Sequence, residues 1–424
     1  MPTACFDGDE ISRRSRESDV TNSRKSVPQE AATFSLWVFS DAHVATDKAV
    51  SDAIRNGMEF VPPVGYPESL ASALRQSEEG GDLGGPAFAW DIALDLGDHA
   101  GLWDIPDDSQ GLEVARQFTA LRAHRREQIY SIAGNHDASP GAAASSLGKP
   151  ANWWWRKWVD PMGENTTFSG VDPARRPFPI SGAWDHYSFQ VGNIRFLMMS
   201  DRNDLPYPIG RRESGGGSPA GAVTGETWAW WQAQVEAHAD DIIISCHHHM
   251  LRETTVASGD YEGVSRYPDG RYRHGRYHGV DGEPEGASYL YFVDGVPKAQ
   301  AFERYLEQHP GVVDMWLGGH THTFPEDRTG GRSHVERRWG TTFVNCAQLS
   351  KFHSFVTCPP MSRHFTFTVG SRLVRSRCYL HDDSYAPQGW FAPAERVIEL
   401  NKPFDIDPDE LAMGRHAALD GVTL

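Results

Sequence analysis

Cysteine is scarce in this chain, five residues in 424, at positions 5, 246, 346, 358 and 378. An odd number without the close spacing of a zinc site or a disulfide framework excludes a cysteine-built scaffold and points to a reducing compartment. Long apolar runs are missing too. None approaches the roughly 20 residues that a membrane-spanning helix needs, so a membrane is not an expected partner. Cations are in short supply: 40 Lys and Arg stand against 57 Asp and Glu, a formal charge of -17. Sequence-independent binding to nucleic acid draws its affinity from cation–phosphate contacts, and this balance disfavours it. Residues 1–30 are polar and charged, and Arg13-Arg14 has no apolar stretch after it. A disordered tail is the expectation there, with no visible secretory signal and a cytoplasmic location.

What the chain does hold is five clusters of acids, imidazoles and one amide, in order. They are Asp41-Ala42-His43, Gly97-Asp98-His99, Gly134-Asn135-His136-Asp137, Cys246-His247-His248-His249 and Gly318-Gly319-His320-Thr321-His322. Each directly follows a short apolar stretch that reads as a buried strand: Leu36–Phe39, Ile92–Leu96, Ile129–Ala133, Ile242–Ile244 and Val312–Leu317. Oxygen and imidazole donors at strand ends suit a site for two hard or borderline divalent cations. Residues two apart in an extended chain point the same way. Asp41 with His43, and His320 with His322, therefore form two pincers. Asp98 stands alone after its strand, and its two oxygens make it the natural bridge between cations. Asn135 offers a neutral carbonyl oxygen, and Gly134 before it permits a tight turn. A lone Asp-x-His is usually a turn or a cap, and a lone histidine is usually structural. Five clusters in order, each after a strand, are not explained that way. The histidines without such context, among them His334, His364 and His381, read as structural or exposed.

These residues resemble the calcineurin-like metallophosphoesterases, whose motifs D-x-H, G-D, G-N-H-[DE], a histidine after an apolar strand, and G-H-x-H all occur here in order, over roughly residues 33 to 380. The resemblance implies a four-layer α/β/β/α sandwich with insertions, a dinuclear metal centre on the strand-end loops, and hydrolysis of phosphoric esters. Carried over by position, it places Asp41, His43, Asp98 and His322 on one metal, and Asp98, Asn135, His247 and His320 on the other. His136 would sit beside the leaving group as general acid, with Asp137 as the partner holding it. His247 is taken as the fourth-motif ligand, His248 as the close alternative and a substrate contact. The family usually shows a proline where this chain has His249. The tyrosine of purple acid phosphatases, three residues after the bridging aspartate, is replaced by Gly101, which argues against that subgroup. The expected cofactors are two divalent ions drawn from Mn, Fe, Zn, Ni or Co.

Alternating strand and helix patterns support α/β. The metallophosphoesterase domain is expected over 31–380, with insertions at about 45–89, 138–185 and 251–295, and an extension over 381–424 that packs on the core. Within the first insertion, Ser77 to Pro86 reads as a loop by composition. In the second, Trp153, Trp154, Trp155 and Trp158 surround Arg156 and Lys157. Stacking on Trp153 or Trp154 would suit an aryl or nucleobase ester, although 154, 155 and 158 also have the spacing of a buried helix face. Tyr272 to His278 could grip a phosphate, with solvated charge the plainer reading. The function expected is metal-dependent hydrolysis of a small-molecule phosphoric ester, diesters ahead of monoesters. A nuclease of the same family would need a basic surface, and a noncatalytic scaffold would be expected to have lost ligands.

Overall fold

The computed structural model describes residues 32–44, 68–100, 106–137, 152–202, 222–259, 289–292, 300–351 and 358–419. The expected N-terminal tail, Gly101, the Tyr272–His278 segment and large parts of the three expected insertions lie outside these residues. Along the chain run β1 (Thr33–Phe39), β2 (Ile92–Asp95), β3 (Ile129–Ser131), β4 (Ser181–Ala183), β5 (His186–Val191), β6 (Ile194–Met199), β7 (Ala222–Val223), β8 (Ile242–His247), β9 (Tyr291–Phe292), β10 (Met315–Gly318), β11 (Val335–Arg338), β12 (Thr341–Asn345), β13 (Met361–Thr368), β14 (Leu373–Leu380), β15 (Gly389–Trp390) and β16 (Arg396–Glu399). The helices are α1 (Ser69–Glu79), α2 (Asp108–Phe118), α3 (Trp153–Trp158), α4 (Thr166–Ser169), α5 (Gly225–Ala237), α6 (Ala301–Gln308) and α7 (Pro408–Leu419). None among the described residues is long and apolar enough to cross a membrane.

Two mixed sheets result. The first has the order β15-β14-β13-β1-β2-β3, with β16 also on β14; the second runs β11-β12-β10-β8-β6-β5-β4. A separate two-stranded sheet pairs β7 with β9. Each motif-bearing strand lies parallel to a neighbour: β1 to β2, β2 to β3, and β10 to β8. Their C-terminal ends, and the loops attached to them, therefore gather on one side.

Period-two alternation sorts the side chains into layers. Leu36 and Val38 of β1 join Ile242, Ile244 and Cys246 of β8 in the core between the sheets. The intervening Trp37 and Phe39 face the other way, onto Leu70 and Leu74 of α1, Val114 and Phe118 of α2, and Trp154 of α3. On the second sheet Ile243 and Trp316 turn outward to Trp231 of α5 and Phe302 of α6. Helices thus cover both outer faces, giving the α/β/β/α order. Strands buried on both faces read in sequence as continuous apolar runs, which is why Ile242-Ile243-Ile244 announced β8 without showing its alternation.

Local chemistry fixes the helix starts. The Asp107 carboxylate accepts from the backbone N–H groups of Ser109 and Gln110 at the head of α2, and Thr224 accepts from Thr227 N–H at the head of α5. The Ser77–Pro86 stretch is not all loop, because its first three residues complete α1. Its remainder is tethered: Gln388 Oε1 accepts from the N–H groups of Leu83 and Gly85. The segment after 380 joins the sheet as well as the core. β15 and β16 pair with β14, and Leu400, Phe404, Ile406 and Leu411 enter the inter-sheet core.

His334, His364 and His381 are structural, all buried. The His381 ring lies between Gln76 Oε1 and Ser362 Oγ, 2.8 Å from each. Burial holds its pKa down at about 3, that of His364 at about 4, and that of His334 well below the ordinary value. These rings are neutral in the folded chain and gain a proton on unfolding below pH about 6.5, so stability declines as the pH falls from there toward the folded values. The melting temperature should drop steadily between about pH 6.5 and 4.5. His381→Gln should lower it at neutral pH yet make that decline shallower, as read in parallel melts across the pH series.

Candidate metal centre

The first, second and third motif loops lie side by side. Asp41 N–H donates to Gly97 O at 2.8 Å and His43 N–H to Asp98 O at 3.0 Å. Gly97 has φ +99°, and a Cβ there would sit 2.4 Å from Gly134 N, so the second and third loops touch backbone to backbone. Asp41, His43, Asp98 and His320 all occupy the left-handed region, with φ of 56°, 41°, 60° and 66°. Such strain costs about 1–3 kcal/mol per residue and persists where the surroundings over-determine the backbone.

The side chains converge. Asp41 Oδ1 lies 3.1 Å from His322 Nε2 and 3.5 Å from His43 Nε2, while its Oδ2 accepts from His320 N–H at 2.8 Å. The two imidazoles of His43 and His322 face each other through Nε2 atoms 3.2 Å apart. Asp98 Oδ2 stands 3.1 Å from His248 Nε2 and 3.7 Å from His43 Nε2, and its Oδ1 accepts from His136 N–H at 2.8 Å. Metal-competent atoms within 4.8 Å of one another form four groups among the described residues. These are Asp41, His43 and His322; His43, Asp98 and His136; Asp41, Asp98 and His248; and His248, His249 and His320.

His248, and not His247, reaches the carboxylates. The reason is strand parity: Ile242, Ile244 and Cys246 point into the inter-sheet core, while Ser245 points outward and accepts from Trp231 Nε1 at 2.9 Å. His247 falls on Ser245's face, its Nδ1 3.1 Å from His249 O. The preference for His247 is corrected on that ground. His249 went unrecognised in the sequence; its ring stacks on His320, centroids 3.6 Å apart.

Asp137 is also reassigned. Its carboxylate accepts four backbone N–H groups, from Asp98, His99, Ala100 and Gly134, at 2.8 to 3.0 Å. It clamps the loop that carries Asp98 and does not hold the His136 ring as expected. His99 joins the clamp between Asp95 and Asp137; burial opposes its charge, but the two carboxylates raise its pKa to about 10. Trp154 is fully buried in the helix-covered core and donates through Nε1 to Asp107 O. It is not a cleft wall, and Trp153 is only partly buried against the same core.

The donor set fits divalent cations. The Asn135 amide is buried with neither its oxygen nor its nitrogen hydrogen-bonded, and a buried amide without a partner is costly unless an ion or water takes the oxygen. Burial raises the Asp98 carboxyl, yet the His248 and His136 charges outweigh it and hold the pKa at about 2. Asp41 is likewise held well below the ordinary range, against burial, by His248 and His322. Two buried carboxylates need positive charge beside them. His248 supplies it in the bare chain, raised to about 10 by Asp98 and Asp41 despite burial, and a cation could replace that proton. His43 and His248 each direct Nδ1 at a backbone carbonyl, Ala100 O at 3.0 Å and Leu96 O at 2.8 Å. That orients Nε2 toward the site, as in metal-ligating histidines.

The family model for calcineurin-like phosphoesterases matches residues 34–324. The chain belongs to this family. The match runs from the start of β1 to just beyond the last motif, so this calcineurin-like phosphoesterase carries all five clusters inside the shared region. Comparison with curated proteins gives no match. Among solved structures, Vacuolar Protein Sorting 29 from Cryptosporidium parvum is similar at 10% identity, over 87% of this chain and 99% of that one, with TM-score 0.28. A single mutant of Vps29 from Entamoeba histolytica is similar at 11% identity, over 87% of this chain and 100% of that one, with TM-score 0.29.

The clamp is testable. Asp137→Asn replaces one acceptor oxygen with a donor, stranding two backbone N–H groups at about 1–3 kcal/mol each. Denaturant unfolding should show that loss, and elemental analysis should show weaker metal retention. Unchanged stability and metal content, with only turnover reduced, would return Asp137 to the role of partner to His136.

Proposed function

We propose that this calcineurin-like phosphoesterase is a hydrolase of small-molecule phosphoric esters that works with two divalent cations. The observation that carries this reading is the position of Asp98. Its Oδ2 lies 3.1 Å from His248 Nε2 and 3.7 Å from His43 Nε2, two imidazoles assigned to opposite sides of it, as a bridging ligand's would. Asp41, His43 and His322 are assigned to one side of Asp98; His248, His320 and Asn135 are assigned to the other, with His249 beside them. Cations held there would supply a water of lowered pKa and would draw charge from the phosphoryl oxygens.

The chain's own part is to orient and to move a proton. Asp137 and His99 fix the loop that presents Asp98. His136 is tied to Asp98 through its backbone N–H, and its ring packs edge-on to His43 with centroids 4.8 Å apart. An imidazole there can donate a proton to the departing alkoxide at working pH. The formal charge of -17 favours a small ester over a polyanion, since a long phosphate chain would meet repulsion beyond the site. The proposed setting remains the cytoplasm.

Purified protein should contain two divalent ions per chain by elemental analysis. Asp98→Ala should lose metal and activity together. His136→Ala should keep its metal and lose about 100- to 10,000-fold in turnover, least for nitrophenyl esters, whose leaving groups need little protonation. A fully active preparation with one ion per chain would refute the two-cation reading, and equal losses on nitrophenyl and alkyl esters would remove His136 from the acid role. Running nitrophenyl mono-, di- and triesters with manganese, nickel, cobalt or zinc in the same assay identifies the ester class.

A further inference from the structure

Arg363 is an anomaly of β13. It pairs with Val38 of β1 and Cys378 of β14, and directly opposed residues share a face of the sheet. Val38 lies in the inter-sheet core, so Arg363 is directed into that same layer, where it is 1% exposed. Its Nη1 donates to Ala394 O at 3.4 Å, and its Nε is buried without a hydrogen-bond partner. A buried guanidinium is stabilised only by pairing or full hydrogen bonding.

Arg363 lines a recess of about 130 Å³ together with Arg328 and Arg396. Among the described residues none of the three is ion-paired. Arg396 spends Nη1 on the carbonyls of Pro393 and Glu395. Two acids share the lining, Glu326 and Asp327, each turned to a donor of its own, Tyr385 Oη and Phe324 N–H; with three guanidinium groups against two acids, the lining keeps an excess of positive charge. His334, also in the wall, adds no charge, since burial and the same three arginines keep it neutral. At about 10–15 Å³ per water on the same measure, the recess has room for a small anion and its hydration.

We propose that the recess between Arg328, Arg363 and Arg396 is a binding site for a phosphate-sized oxyanion, separate from the candidate metal centre. Guanidinium forks match tetrahedral oxyanions in geometry and charge, and an anion in the recess would offer an acceptor to the buried Arg363 guanidinium that lines it. The site also has a structural link to the last metal motif. His334 Nε2 lies 2.9 Å from Thr323 Oγ1, and Thr323 comes directly after His322.

Equilibrium dialysis of radiolabelled inorganic phosphate against the full chain, at constant ionic strength in chloride, tests the assignment. Asp98→Ala, which dismantles the metal centre, should retain one saturable phosphate site. Arg328→Gln and Arg396→Gln, at the rim, should each weaken that site by about 10- to 150-fold, the worth of one charge-assisted hydrogen bond. Arg363→Met should abolish it, and the rim variants decide the matter if that buried variant does not fold. Competition by phenylphosphonate would show that the head group of an organic phosphate enters, and its absence would restrict the site to the free ion; either result upholds an oxyanion site. Phosphate binding that vanishes in Asp98→Ala, or that neither rim substitution alters, overturns the proposal.

Discussion

Two carboxylates, Asp41 and Asp98, are buried at the ends of adjacent parallel strands, and much of the surrounding structure serves to keep them there. Their mutual repulsion and desolvation are offset by imidazoles brought from β8 and from the loop after β10. Their backbones are held at positive φ by hydrogen bonds between loops. The clamp at Asp137 satisfies the N–H groups of the Asp98 turn, and two glycines let the second and third loops close to contact. Remove the need to concentrate negative charge at this point, and the strained turns, the touching glycines and the crowd of histidines have no common explanation.

Residue type carried the choice of candidate metal ligands, because few chemistries want acids, imidazoles and an amide after successive apolar strands. Side-chain direction was harder to read. Three consecutive histidines offer three candidates, and only the inward parity of Ile242, Ile244 and Cys246 separates His248 from His247; an all-apolar run conceals that parity until a second sheet defines which face is inside. Asp137 was misread for a related reason. A carboxylate next to a histidine in sequence suggests a dyad, yet its acceptor capacity is taken up by backbone donors some 38 residues earlier in the chain, at His99, and backbone donors leave no mark in sequence. The helical spacing of Trp154, Trp155 and Trp158 did reveal burial, and that plain reading is the one the fold adopts.

The layers were legible at the level of class and incomplete at the edges. β1, β2, β3, β8 and β10 appear as short apolar runs, whereas β15 and β16 are two and four residues long and exist as strands only because β14 is there to pair with them. Propensity could not signal them, since their hydrogen-bond partners come from the tertiary arrangement.

The pairing of β1 with β13 sets an order on biosynthesis. Thr33 opposes Thr368, and Leu36 opposes Phe365, so the first strand of the domain waits for a partner made more than 300 residues later. A ribosome that has already delivered every candidate metal ligand, from Asp41 to His322, has not yet delivered the neighbour that flanks β1, nor the Phe404 and Ile406 side chains that fill the layer beneath it. Pairings of such sequence separation are slow and leave apolar strand edges exposed while they wait. The candidate ligands are thus complete as chemistry well before they can be complete as geometry, and a nascent chain would carry them on a half-built sandwich until its C-terminal strands arrive.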